Sequence, residues 1–264
     1  VALRVADTES ADTFEVRGRG ELHLSILIET MRREGYELAV SKPQVIIMER
    51  DGKKWEPVEY VVVDVAEDYS GAVIESLGKR KAIMSNMINI GDSRRLEYTM
   101  PTRAIFGLRG ELLTLTRGTA VMSHTYYDHQ EWQGELPGRN VGALVATDTG
   151  RATAYALAGV EQRGRFFVDP GEDIYEGMVV GRANDDKDVG LNVVREKKLT
   201  NMRASGSDDT VKLPPKENMS LERAIEFIED DELVEVTPQT IRLRKRILDE
   251  SDRLKARRRE KTSV

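Results

Sequence analysis

The chain has 264 residues, 39% hydrophobic and 33% charged, enough for about two cores behind a broad solvated surface. Its 40 basic and 46 acidic side chains leave a net charge of −6, which argues against indiscriminate coating of nucleic acid. The absence of cysteine excludes disulfides, thiolate metal sites and cysteine nucleophiles, and no apolar run approaches the ~18–20 residues that would call for a membrane partner.

The first residue is Val1, and VALRVADTE reads as a continuing element, so a fragment of a longer chain is expected. TFEVRGRG alternates as a strand. Leu24, Leu27, Ile28 and Met31 then form one apolar helical stripe, closed by Gly35 as a cap. YELAVSKPQVIIM is a second strand, and residues 1–48 read as the second half of a small domain. ERDGKKWE is a polar linker with a turn at Asp51-Gly52.

Residues 57–127 give the clearest pattern. VEYVVVDVA is a β-branched strand, and Ser70 to Lys79 is a helix with Val73, Ile74 and Leu77 on one side. AIMSNMINI and SRRLEYTMP form a hairpin about Gly91-Asp92. Thr102 is placed to cap a helix bearing Ile105, Leu108, Leu112 and Leu115, and RGTAVMSHTYY closes the set. The order β-α-β-β-α-β predicts a ferredoxin-like domain over residues 49–127, within an α+β chain.

From Asp128 short strands alternate with glycine turns (NVGALVATD, RATAYALAG, GRFFVDPGED, GMVVGRAND), the texture of a small β-sandwich or barrel. Residues 184–219 lose periodicity and form a long basic loop. Ser220 opens a helix with Leu221, Ala224, Ile225 and Ile228 inward, followed by strands VEVTP and TIRLRKR and a basic tail, all within a β-rich domain over 128–264. Residues 242–261 carry ten basic against four acidic side chains, and residues 221–236 seven acidic against one basic. Such blocks either neutralise each other or form an RNA-binding tail.

No catalytic constellation is present. GRGE at 18–21 lacks the rest of a phosphate loop, and no GxxxxGK[ST] or GxSxG occurs. Asn184, Asp186 and Asp188 alternate as in calcium loops, but Val189 stands where the turn glycine belongs and Arg195 where the closing glutamate belongs. His23, His124 and His129 lack HxxxH or HExxH spacing, and Glu229-Asp230-Asp231-Glu232 reads as a solvated acidic run. REKKLTNMRASG differs. Lys197, Lys198 and Arg203 can neutralise phosphates, Thr200 and Asn201 can hydrogen-bond sugar or base edges, and Met202 can pack on a base. Arg242, Arg244, Lys245 and Arg246 form a second basic run, which either tracks a phosphate backbone or solvates an edge strand.

FEVRGRGELHLSILIETMRREGYELAVSKPQVI resembles the end of domain III of translational GTPases related to elongation factor G. EPVEYVVVDVAEDYSGAVIESLGKRKA, with PTRAIFGLRGELLTLTRGTA, is similar to their domain V. REKKLTNMRASG and DDELVEVTPQTIRLRKR resemble the C-terminal domain of the TypA/BipA family. The resemblance implies a cytoplasmic, ribosome-associated protein acting in stress adaptation and large-subunit assembly. It implies that GTP and magnesium are held by an upstream GTPase domain, with no cofactor and no chemistry in this chain. It further implies a monomer whose 197–203 loop contacts rRNA and the acceptor end of an A-site tRNA. A LepA-like or elongation-factor-G-like factor would share residues 1–127 and lack the loop. A β-rich module binding a protein or small molecule through residues 128–183 is the alternative from another class.

Overall fold

The structure, a computed structural model, describes residues 3–196 and 213–262. The chain divides into one unit made of residues 1–42 with 139–264 and another made of residues 43–138. In chain order, Arg4–Asp7 (β1) and Phe14–Arg17 (β2) pair as a hairpin, Glu21–Arg33 is helix α1, and Leu38–Ser41 is β3. Glu21 lies in the first turn of α1 and Arg32 and Arg33 in its last, which suits the helix dipole. Gly35 takes a φ of 94°, as a capping glycine does.

The 43–138 unit is ferredoxin-like. Met48–Arg50 (β4) turns through Asp51 and Gly52, both at positive φ, into the long strand Lys53–Ala66 (β5), so the expected linker is a hairpin. Glu67–Lys79 (α2), Ile83–Ile90 (β6), Ser93–Pro101 (β7), Leu108–Leu115 (α3) and Val121–Glu131 (β8) follow. β5 is central, with β8 on one side and β7 then β6 on the other, all antiparallel. The bulge at Val58/Glu59 leaves Tyr127 as the extra residue of β8, while β5 stays in register with β7, so Glu56 and Val58 are buried on the face opposite to that of the core valines Val61, Val63 and Val65. Those valines pack with Val73 and Leu77 of α2, Leu96, Tyr98 and Met100 of β7, and Leu108 and Leu112 of α3. Full burial of each such aliphatic side chain contributes about 1.5–3 kcal/mol. The expected helix from Thr102 is split. Thr102–Ala104 is a 3-10 turn, and Gly107 at a φ of 68° restarts the chain as α3, so Ile105 packs from outside the helix.

In the other unit Ala143–Ala146 (β9), Gly150–Arg151 (β10), Ala154–Val160 (α4), Gly164–Phe166 (β11), Asp173–Ile174 (β12), Met178–Ala183 (β13) and Val189–Leu191 (β14) precede Leu221–Phe227 (α5). Glu232–Val236 (β15), Ile241–Lys245 (β16) and helix Glu250–Thr262 (α6) complete it. The sheet runs β14-β9-β13-β16-β15-β3, with β11 also on β13. It is apolar on both faces. Leu144, Ala146, Met178 and Val180 pack on Leu157 of α4 and on Ala152, Val168 and Ile174. Ala143, Val145, Val179, Val234 and Leu243 pack on Ile28 of α1 and on Leu221, Ala224 and Ile225 of α5. Helices cover this sheet, so it is not the expected sandwich or barrel. The strand expected over RATAYALAG is helix α4, because Thr153 caps it by accepting the Ala156 amide and alanines favour helix. The expected boundary at residue 48 also moves. β3 pairs with β15, with Val40 opposite Val234 and Leu38 opposite Val236, so residues 1–42 share the C-terminal sheet.

Candidate nucleic-acid interface

Lys197, Lys198, Thr200, Asn201, Met202 and Arg203 lie outside the described residues. The residues flanking that segment are described. Val193 is buried in the first core, Val194 packs against it, and the Arg195 carbonyl accepts the Thr153 hydroxyl at 2.7 Å. On the far side Leu213 packs against the same core, and the Glu217 amide donates to Phe166 O at 2.8 Å. Both flanks of the KKLTNMR segment are therefore seated on one core.

Arg242 and Arg244 alternate on β16 with Leu243, which faces the second core, so the two arginines share the opposite face of the sheet. Arg244 Nε lies 2.9 Å from Glu235 Oε1, and the Tyr175 hydroxyl donates to Glu235 Oε2 at 2.5 Å. Burial, then the Glu235 carboxylate, pushes the Tyr175 hydroxyl far above the usual phenol range. Tyr175 also packs against the first core, the one that seats the flanks of residues 197–212. Arg246 is exposed beyond the strand, its amide donating to Asp231 O.

Lys245 is a correction. Its side chain is 2% exposed, with Nζ 2.7 Å from Asp188, 2.8 Å from Glu232 and 2.9 Å from Asp231. A phosphate would have to displace three carboxylates to reach it, so Lys245 is held as a structural cation and not presented to RNA. β16 is also not an edge strand, since it pairs with β13 and β15. A charged side chain alternating to the inner face of a central strand must be paired there.

The partners of Lys245 belong to a buried ionic knot that the sequence did not reveal. Arg139 grips Glu232 with both terminal nitrogens at 2.6 and 2.8 Å, donates to Phe227 O and Val141 O, and stacks 4.3 Å above the Phe227 ring. Its Nη2 also lies 3.2 Å from Asp188, which accepts the Ala143 amide at 2.8 Å. Burial pushes the Asp188 carboxyl up, but the Ala143 amide, Lys245 and Arg139 outweigh it and hold the group far below the carboxylate range. Burial pushes Lys245 down, and Glu232 and Asp188 outweigh that and raise it. Glu232 is fully buried and Glu229 pairs with Lys42 at 2.6 Å, so only Asp230 and Asp231 of the run 229–232 are on the solvated face expected for it. Asp188, weighed above as a calcium-loop position, is a structural anion. The acidic and basic blocks thus neutralise each other in part, at Arg244–Glu235 and at Lys245.

The family profile described as "TypA/BipA C-terminal domain" matches residues 141–250, and that described as "Elongation factor G C-terminus" matches residues 53–139. The chain is 50% identical, over an alignment of 265 positions that takes in all of it, to the Bacillus subtilis protein named large ribosomal subunit assembly factor BipA. The chain belongs to the TypA/BipA family. It is similar to the namesakes from Salmonella typhimurium, 51% identical over 99% of the chain, and Haemophilus influenzae, 50% identical over 98%. It spans 43% of the length of the first two of these relatives and 42% of the third. The TypA/BipA profile covers strands β9 to β16, whereas the elongation factor G profile ends at residue 139. That coverage separates this chain from the LepA-like and elongation-factor-G-like readings.

Proposed function

We propose that this chain is a ribosome-docking region of a translational GTPase, holding the ribosome through RNA phosphates while the chemistry belongs to a GTPase domain elsewhere in the protein. The observation that carries this reading is the shared seat: the flanks of residues 197–212 and the Tyr175–Glu235–Arg244 group rest on the same core. Lys197, Lys198 and Arg203 would then reach RNA from the same core that backs Arg242 and Arg244, with Arg246 beyond them. Thr200, Asn201 and Met202 supply the hydrogen-bonding and stacking chemistry that a splayed single-stranded end requires. The acceptor end of an A-site tRNA is such an end, and rRNA is the larger phosphate surface. The relatives' name supports a role in assembly of the large subunit, and the family resemblance supports one in stress adaptation. The chain has no GxxxxGK[ST] loop, so its residues do not fit GTP and magnesium and no nucleotide step runs through them.

The test is co-sedimentation of the chain with ribosomes over a salt series. Binding should fall steeply as salt rises. Lys198→Ala with Arg203→Ala should weaken it about tenfold or more and reduce the salt slope by about two phosphates' worth. Unchanged affinity and slope in that variant, with the wild type bound, would remove the loop from the interface.

A further inference from the structure

Ile83–Ile90 is an edge strand of eight residues, IMSNMINI, hydrogen-bonded among the described residues on one side only, to β7. It has no charged residue, and all eight residues are exposed. Ile83, Met84, Met87, Ile88 and Ile90 show between 38 and 57% of their surface. Soluble proteins blunt such edges with charge, proline or shortness, because a free ladder of N–H and C=O groups beside apolar side chains recruits other strands. The other edge of this sheet follows that rule, since β8 carries His124, Asp128, His129 and Glu131. A bulge between Met84 and Asn86 interrupts the start of β6, and Asn86 to Ile90 then runs in regular register against β7. Ile88 and Ile90 lie opposite Arg95 and Ser93 on one face, and Met87 opposite the buried Leu96 on the other.

We propose that β6 is a docking site for an extended strand of a partner protein, uncharged and alternating in apolar side chains, which adds to the sheet beside it. The free backbone ladder selects a polypeptide, because its repeat of donors and acceptors is matched only by another strand. The absence of any cation over eight residues leaves nothing to neutralise a phosphate backbone. A second copy of the chain is the weaker occupant. Stable interfaces take about 20–30 residues a side, far more than one edge strand provides, whereas a lone strand needs only the ladder and the Ile88/Ile90 and Met87 contacts.

The experiment measures fluorescence anisotropy of a labelled eight-residue peptide of alternating valine and threonine, capped at both ends, titrated with the whole 264-residue chain. Saturable binding at or below about 1 mM is expected. The same peptide N-methylated at every residue should bind at least about tenfold more weakly, because it has no amide to donate. Met87→Lys with Ile88→Lys, at two exposed positions on opposite faces, should weaken binding by a similar factor, while Tyr127→Lys on β8 should leave it unchanged. Absence of saturation, equal binding of the methylated peptide, or equal binding by the Met87/Ile88 variant overturns the proposal. So does a concentration-dependent dimer in sedimentation velocity that the Met87/Ile88 variant abolishes, since the occupant would then be a second copy.

Discussion

Lys245→Met separates a structural lysine from an RNA-binding one. The substitution keeps most of the apolar stem and deletes the ammonium. Of the three carboxylates left behind, Asp231 is half-exposed, so losing its pair costs under about 1 kcal/mol. Glu232 is fully buried but keeps its two bonds to Arg139, and Asp188 keeps the Ala143 amide and the 3.2 Å contact with Arg139. Removing one member of a buried pair costs about 3–5 kcal/mol, and the surviving partners place this case near about 3. With a urea dependence of about 2 kcal/mol/M, the midpoint should fall by about 1.5 M.

The two tryptophans, Trp55 and Trp132, both lie in the 43–138 unit and act as an internal control. Far-UV circular dichroism should show the early transition of the other unit, while tryptophan emission keeps its wild-type midpoint. The pH dependence has a defined sign. Asp188 is held low in the fold, so its contribution is present above the unfolded carboxylate value of about 3.9 and is lost as pH falls through the lower folded value. Lys245 is raised in the fold, so its contribution is complete below the unfolded value of about 10.4 and is lost as pH rises through the higher folded value. In the variant, Asp188 loses the ammonium that favours its ionised form. The gap between wild type and variant should therefore be widest near neutral pH and narrow towards both ends. A midpoint shift below about 0.5 M at pH 7, or one seen equally by tryptophan, refutes the ionic-knot reasoning.

Glu56→Ala should do the reverse. Glu56 is fully buried, accepts from Arg103 and from the Gln133 amide, and Arg103 also stacks 4.6 Å above Trp132. Its loss should cost about 3–5 kcal/mol in the tryptophan-detected transition and alter Trp132 emission, leaving the other unit's transition in place. Gly142→Ala should destabilise the C-terminal sheet by about 3 kcal/mol in chemical denaturation, because the new methyl group would sit 2.0 Å from the Lys187 carbonyl oxygen, a backbone atom that cannot swing away. A stable Gly142→Ala protein with an unchanged midpoint would mean that the 187–188 turn gives way freely.

Local signals in the sequence determined the local structure. The apolar stripe of α1, the Gly91-Asp92 hairpin, the Ser220 cap of α5 and the β-α-β-β-α-β order are all written within a few residues of where they act. Backbone preference and side-chain period are short-range quantities, so they are legible without a partner. The RNA reading of KKLTNMR rests on the same kind of local signal, a choice of side chains, and stands as a proposal. What only the tertiary structure decided is which side chains meet. Nothing near Lys245 in sequence says that it lies inside with Asp188 and Glu232, rather than outside with Arg244. That depends on β16 being a central strand with helices over its inner face, and on which face alternation assigns to each residue. Likewise β3 alternates correctly on its own, but its place beside β15 follows from Leu38 and Val40 completing a core supplied by residues far along the chain. Pairing and burial are long-range properties, set by how the assembled elements exclude water.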